Sequence, residues 1–408
     1  MDLLLSICVP TYNRAASLAR VIDHVYGLDL DFSFEVVVVD NCSDDGTQDV
    51  IKLHEHRENF RHYRQNINIG SGPNGIASLR LAKGEYCMIL CDDDFLKPEG
   101  LKIALEFLRQ NQHVNCVQAP WEFWDDVKGI TLHSYYNVEK EIIFNKGDYL
   151  AFFNYIVNND IYPEIGIYRT TEIIKCLFRT HVNFISYVLM AQFLKRGAIA
   201  FIPTYFYRYP VRSDIKEDRE REGERISQQE WDTYRGGLEY LLDLSLPFET
   251  ATAEQRFVGL GMINQYMIRR VRAAMKLFIS KKKFIEAIEM LARLKALGFK
   301  DKNEIDQCYK FLRPNAAFQA LARMVMETPT LRSIILCGCT DWKWVQEITQ
   351  DLGVENLYSA HNFNSMESVE NKNDYFIIVG PKVDLADLES FGYSKERMMT
   401  ENDLMSIY

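Results

Sequence analysis

The stretch FEVVVVD, residues 34–40, constrains the fold of this chain more than any other. Its valine run leaves no polar face, so a strand built here must be covered on both sides. Such strands belong to parallel sheets joined by helical crossovers, and the flanking sequence supplies the crossovers. LLLSICV is a short apolar run ended by PTYNR, and AASLARVIDHVYGL follows at helical spacing. Beyond residue 40 the pattern predicts a helix in GTQDVIKLHEHR, a strand in FRHYRQ and a helix in NGIASLRLAKG ending at Gly84. A fourth strand, EYCMIL, follows, and Pro98 opens the helix PEGLKIALEFLRQN, where a missing N–H costs nothing. The expected class is α/β, a Rossmann-like and mainly parallel sheet.

Residues 114–210 mix strand signals (VNCVQAPWEFW, EIGIYR, AIAFIPTYFYRY) with one helix, FISYVLMAQFLKRG. Aromatic residues are dense here: Trp121, Phe123, Trp124, Tyr135, Tyr136, Tyr162, Tyr205, Phe206, Tyr207 and Tyr209. Core packing is their ordinary role. The alternative is a wall on which a sugar stacks, since a pyranose has apolar faces and a polar rim. The charged run at 212–230 reads as a solvated helix or mobile loop, and 231–329 as helical. Within 256–300, eleven basic residues face only Glu286 and Glu289. A solvated helix face explains that as well as peripheral contact of 269–300 with an anionic membrane or a phosphate-bearing acceptor. The last part has two strands, LRSIILCGC and DYFIIVGPK, and reads as a small Rossmann-like unit. It lacks the G-x-G-x-x-G spacing of a pyrophosphate-binding turn, so an accessory or assembly role is expected. The expected domains are therefore 1–211, a helical linker or accessory region at 212–330, and 331–408. At 408 residues several cores are needed in any case.

A net charge of −10 argues against general nucleic-acid binding. The nine cysteines are scattered and mostly within apolar runs, as expected of reduced thiols in a cytoplasmic protein. Without a CxxC pair, a zinc site is not expected. The N-terminus lacks a basic flank and a small-residue cleavage site, and reads as a first strand rather than a signal peptide. No apolar stretch reaches the roughly 18 residues of a spanning helix. The expectation is a soluble protein, attached at most to the inner face of a membrane.

In parallel α/β sheets, ligands bind beyond the carboxyl ends of the strands. Three of these ends are polar: Pro10-Thr11-Tyr12-Asn13-Arg14, Asp40-Asn41-Cys42-Ser43-Asp44-Asp45, and Asp92-Asp93-Asp94. Three adjacent carboxylates repel one another, so something must hold them. A divalent cation with oxygen ligands, Mg²⁺ or Mn²⁺, would do so while bridging them to a diphosphate. Taken singly, Thr11, Ser43 and Asn68 would also serve as turn and cap residues.

SICVPTYNRAASLARVI, FEVVVVDNCSDDGTQDVI and NINIGSGPNGIASLRLAKGEYCMILCDDDFLKPEGL together resemble the N-terminal half of the family 2 glycosyltransferases, which have the GT-A fold. The resemblance covers residues 3 to 110 and extends more loosely to 210. It implies a metal-dependent transferase of the bacterial surface-polysaccharide type. Such an enzyme moves a sugar from a nucleotide-sugar donor, here expected to be UDP-linked, to a hydroxyl of a glycan or lipid-linked acceptor, with inversion. The resemblance implies that Pro10, Thr11 and Tyr12 frame the nucleoside. It places Asp40 on the base, with Ser43 and Asp44 beside it. Asn68, Gly70 and Asn74 would form a loop over the nucleotide, Asp93 would lie near the ribose, and Asp94 would bind Mn²⁺ or Mg²⁺. Asp92 is an additional carboxylate of the same site.

Two departures stand out. Many relatives place an Arg-Asn pair in the helix after the third strand, where this chain has PNGIASL and its nearest arginine is Arg80. Inverting relatives commonly carry an acidic pair about a dozen residues before a late glycine. Counting back from Gly197 gives Ile185 and Ser186. A base is still needed near the acceptor hydroxyl. The candidates, in order, are Glu164, Asp160 and His181. The alternative is a catalytically inactive GT-A protein that binds a nucleotide sugar or glycan. A nucleotidyltransferase would need a glycine-rich loop where PTYNR stands. Oligomer formation is left open.

Overall fold

The computed structural model describes residues 3–176, 184–212, 231–339 and 358–408. His181, almost all of the charged run at 212–230, and part of the crossover after residue 339 lie outside the described residues. The chain divides into two compact units, Met1–Tyr266 and Met267–Tyr408. The division falls inside a long helix, whereas the sequence places boundaries after residues 211 and 330.

The first unit opens with the expected alternation: β1 (Leu5–Thr11), α1 (Ala15–Gly27), β2 (Phe34–Asp40), α2 (Thr47–His54), β3 (Phe60–Arg64), α3 (Ser71–Arg80) and β4 (Tyr86–Ile89). It continues with β5 (Phe95–Leu96), α4 (Pro98–Gln110), β6 (Val114–Gln118), β7 (Glu122–Asp125), β8 (Ile130–Ser134), β9 (Ile142–Phe144) and α5 (Tyr149–Asn158). After these come β10 (Gly166–Arg169), α6 (Thr170–Ile173), α7 (Ile185–Leu194), β11 (Ala198–Phe201), β12 (Tyr207–Arg212) and α8 (Trp231–Ser245). The main sheet has the order β3-β2-β1-β4-β10-β6-β11-β9. Val36 to Val39 are at most 1% exposed, as a strand covered on both faces requires.

The sheet is mixed, with six of its eight strands running the same way. β1, β2, β3 and β4 pair in parallel, but β10 enters antiparallel between β4 and β6, and β9 is antiparallel to β11. Two of the long strand signals are also broken by proline, which cannot donate to a ladder. VNCVQAPWEFW splits at Pro120 into β6 and β7, and AIAFIPTYFYRY splits at Pro203 into β11 and β12. The second pieces form a separate sheet, β5-β12-β7-β8.

Gly100, in the first turn of α4, is what seats that second sheet. A Cβ there would lie 2.1 Å from the Tyr205 carbonyl oxygen, so the helix rests directly on the backbone that leads into β12. The Lys97 N–H donates to the Phe206 carbonyl at 3.0 Å and fixes the same contact. Elsewhere in the unit, Tyr162 and Tyr234 stack at 4.9 Å, and Tyr187 and Tyr266 share a hydroxyl bond at 2.7 Å. Tyr162 is thus a core residue.

α9 (Ala253–Ser280) crosses the division between the units. The second unit continues with α10 (Phe284–Ala296), α11 (Lys302–Glu327), β13 (Ser333–Cys337), β14 (Tyr358–His361), β15 (Tyr375–Val379), α12 (Leu385–Ser390), β16 (Met398–Thr400) and α13 (Glu401–Met405). Its small sheet is parallel throughout, in the order β14-β13-β15-β16, over a core including Ile335, Met366, Ile377 and Leu388. Within the basic segment, Arg272 pairs with Glu304 through two bonds of 2.6 and 2.5 Å. Among the described residues no helix is long and apolar enough to cross a membrane.

Candidate active site

Parallel pairing carries the ends of β1, β2 and β4 to one edge of the main sheet. The predicted residues meet there through a dense hydrogen-bond network. The Thr11 hydroxyl donates to Asp92 Oδ2 at 2.6 Å, across 81 residues of sequence. Asn13, in a left-handed turn (φ 51°), exchanges two bonds with Asp44 at 2.7 and 2.9 Å, and its N–H donates to Ser43 Oγ at 2.8 Å. Ser43 in turn donates its N–H to Asp40 Oδ1 at 2.9 Å.

Asp40 is fully buried. Its Oδ2 accepts from Gln48 Nε2 at 2.5 Å and lies 3.5 Å from Arg64 Nε. A base can therefore reach Asp40 only if Gln48 or the half-exposed Arg64 side chain gives way. Asn68 bridges the loop after β3: its Oδ1 accepts from Asn41 Nδ2 at 2.8 Å and from the Gly70 N–H at 2.9 Å. Gly70 takes φ 91°, which favours glycine, and Asn74 is buried with its Nδ2 donating to the Val39 carbonyl at 2.9 Å.

Arg14 and Tyr207 divide the work of holding the three carboxylates. Arg14 is 4% exposed, and its Nη1 lies 2.5 Å from Asp93 Oδ2 and 3.8 Å from Asp92 Oδ1. The Tyr207 hydroxyl donates to Asp94 Oδ2 at 2.6 Å and accepts the Cys91 N–H at 3.1 Å. Burial, and then the Asp94 charge, push the Tyr207 phenol well above its usual range, so it stays a donor. A fixed cation thus faces Asp92 and Asp93, while Asp94, 3% exposed, bonds to a neutral phenol.

That donor set suits a hard divalent cation. Mg²⁺ and Mn²⁺ are commonly held by one or two carboxylates and completed by substrate phosphates and water. Among the described residues no three His, Cys, Asp or Glu side chains form a metal cage by themselves. Asp94 would hold the ion together with the diphosphate. All nine cysteines are free thiols.

Of the candidate bases, Glu164 comes to this edge. It stands in the turn that leads into β10, the strand that pairs antiparallel with β4. The Cys91 thiol is pushed up by burial and then by the Asp94, Asp93 and Glu164 charges. Glu164 is exposed. Asp160 closes α5 in a left-handed turn (φ 53°), a capping position. Arg80 ends α3, far from its N-terminus at the edge, and donates to the Cys176 carbonyl at 3.2 Å. A cleft of about 470 Å³ between α9, α10 and α11, lined by Lys282, Phe284, Lys310 and Phe311, belongs to the second unit and contains none of the predicted residues.

Three residues of this edge escaped the sequence reading. Arg14 stood in PTYNR without a role, although mutual repulsion of three carboxylates demands a counter-charge. Asn41 sat between two assigned residues. Tyr207 gave no signal, because its contact with Asp94 spans 113 residues.

Residues 6–168 match the model of the family described as Glycosyl transferase family 2. The chain is 34% identical over 109 residues to the abequosyltransferase RfbV of Salmonella typhimurium, covering 26% of this chain and 33% of that protein. It is 31% identical over 109 residues to the poly(ribitol-phosphate) beta-N-acetylglucosaminyltransferase TarS of Staphylococcus aureus, covering 26% of this chain and 19% of that one. The match thus spans a third or less of the length of these curated relatives. A solved structure of TarS residues 1–349 in complex with UDP aligns with 86% of this chain and 88% of its own, at 16% identity and a TM-score of 0.47.

Proposed function

Starting from a chain whose residues 6–168 belong to glycosyl transferase family 2, we propose that it transfers a sugar from a UDP-linked donor to a hydroxyl of a glycan or lipid-linked acceptor in surface-polysaccharide synthesis. The observation that carries this is the edge itself: Asp92, Asp93 and Asp94 held at one strand end, with Thr11, Asp40, Ser43 and Asn68 on the adjoining ends. The uracil imide presents an N–H that a carboxylate can accept, and Asp40 would take it as Gln48 or Arg64 gives way. Pro10, Thr11 and Tyr12 close one side of the nucleoside; Asn68, Gly70 and Asn74 close the other. Asp93 faces the ribose. Asp94 would hold a Mg²⁺ or Mn²⁺ ion, which would supply charge neutralisation for the departing diphosphate.

Glu164 takes the proton from the acceptor hydroxyl. The oxygen then bonds to the anomeric carbon as the bond to the diphosphate breaks, with inversion at that carbon. The alternative, binding without turnover, draws support from Ile185 and Ser186 standing where the family's acidic pair is expected.

A thermal-shift screen of UDP-, GDP- and CDP-sugars with and without Mn²⁺ tests the donor assignment, because a ligand of the native state raises its melting temperature. UDP-sugars should raise it in a Mn²⁺-dependent way; no shift with any of them would remove the proposal. Slow donor hydrolysis that disappears in Glu164→Gln, with UDP binding retained, is expected of the enzyme. Binding without hydrolysis or transfer would leave the alternative standing.

A further inference from the structure

We propose that the aromatic face of the second sheet is the acceptor subsite, and that it binds a neutral saccharide chain; this rests on the donor-site reading above. The sheet order β5-β12-β7-β8 and strand alternation sort its side chains into two unlike faces. On one face Arg208 pairs with Glu122 at 2.8 Å, Lys97 pairs with the same carboxylate at 2.7 Å, and Arg208 lies 4.2 Å over the Trp124 ring. That face is a charge cluster in which two cations share one carboxylate. The other carries rings.

The rings form two rows across the strands. Tyr209, Phe123 and His133 are cross-strand neighbours. Phe123 meets Tyr209 edge-on at 5.6 Å and stacks on His133 at 4.5 Å. The second row holds Tyr207, Trp121 and Tyr135, with Trp121 stacked on Tyr135 at 4.3 Å. Tyr207 is the member whose hydroxyl holds Asp94, so the aromatic face begins at the donor carboxylates. From there exposure grows: Tyr207 and Trp121 are buried, Phe123, Tyr135 and Tyr209 are half-buried, and His133 is exposed.

A chain lying on Phe123 and Tyr209 would point its terminal sugar along the face towards Tyr207 and the Asp94 carboxylate that its hydroxyl holds.

The chemistry of the face selects its occupant. Flat rings with hydroxyl and imidazole groups at their edges match a sugar, whose C–H faces are apolar and whose rim donates and accepts hydrogen bonds. An acyl chain would leave those polar edges unmatched. A charged peptide or polynucleotide would find no carboxylate, lysine or arginine among these rings, because Arg208, Lys97 and Glu122 lie on the opposite face.

The test uses the full chain on an array of neutral oligosaccharides released from bacterial surface polysaccharides, beside a separate UDP–Mn²⁺ binding measurement. Wild type should be retained on a subset of saccharides. Phe123→Ala/Tyr209→Ala should lose that retention by about tenfold or more, the worth of one or two aromatic contacts, with UDP–Mn²⁺ affinity unchanged. Phe123→Tyr/Tyr209→Phe, which keeps both rings, should bind like wild type. Retention of wild type on no saccharide while UDP and Mn²⁺ bind would overturn the subsite and leave the donor site intact. So would equal retention of the alanine variant. Loss of UDP–Mn²⁺ binding by wild type itself would instead count against the donor site.

Discussion

Replacing Tyr207 by phenylalanine removes one oxygen from the carboxylate edge and leaves the ring in place. Tyr207 is 1% exposed, so no new cavity larger than a hydroxyl is made. Two bonds disappear: the donation to Asp94 at 2.6 Å and the acceptance from the Cys91 N–H at 3.1 Å. A hydrogen bond to an ionised partner contributes about 1.5–3 kcal/mol, and a part-buried N–H left without an acceptor costs about 1 more. Because the two share one atom they do not add fully, and about 3 kcal/mol is the working figure. For a unit of this size that corresponds to a melting temperature lower by about 6–12 °C. The second consequence concerns Asp94. Groups that orient a metal-binding carboxylate typically contribute 10- to 100-fold in metal affinity, so the Mn²⁺ concentration needed for half-maximal UDP binding should rise about tenfold or more. Calorimetric titration of UDP at fixed Mn²⁺ concentrations reads this directly. A Tyr207→Phe protein that melts lower yet binds UDP with the wild-type Mn²⁺ dependence would refute the orienting role and, with it, the cation's place on Asp94.

Arg14→Met removes the guanidinium that faces Asp92 and Asp93, which by itself should destabilise the protein by about 3–5 kcal/mol. Mn²⁺ without nucleotide should then restore part of the lost melting temperature, and a melting curve indifferent to Mn²⁺ would show that these carboxylates do not gather a cation. Alkali should unfold the protein through its buried acids. Burial pushes the Cys87 thiol up to about 12 and raises the phenols of Tyr136, Tyr162, Tyr168 and Tyr207 well above their usual range. All are therefore protonated in the fold when the unfolded chain has begun to ionise, above about pH 8.5 for thiols and 10 for phenols. Stability from these groups is complete below that pH and declines as pH rises towards 12; circular-dichroism melts level from pH 9 to 11 would contradict it. Charge reversal of Lys281, Lys282 and Lys283 should weaken association with liposomes rich in anionic lipid, at about 1 kcal/mol per residue. Unchanged co-sedimentation would remove the membrane contact of 269–300.

What the sequence made legible follows from distance along the chain. The β1–β4 alternation could be read because each of those elements carries its own period, and FEVVVVD states its burial without reference to any partner. The edge residues could be read as a group because parallel pairing always brings strand ends together. The mixed order of the sheet could not. β10 enters antiparallel beside β4 from some eighty residues downstream, and nothing local in EIGIYR records which neighbour it will take. Prolines 120 and 203 did carry a local signal, and it is the one that separates the second sheet from the first. Tyr207 shows the limit most sharply. Its position in an aromatic run suggested packing or stacking, whereas the fold uses its hydroxyl to hold a carboxylate 113 positions earlier. The charge problem of Asp92, Asp93 and Asp94 was visible from the outset, and its solution is divided. Arg14 faces the first two carboxylates permanently, and a neutral phenol orients the third. Part of the repulsion is thus offset within the fold itself, and Asp94 is left as the buried carboxylate on which the proposed cation would sit.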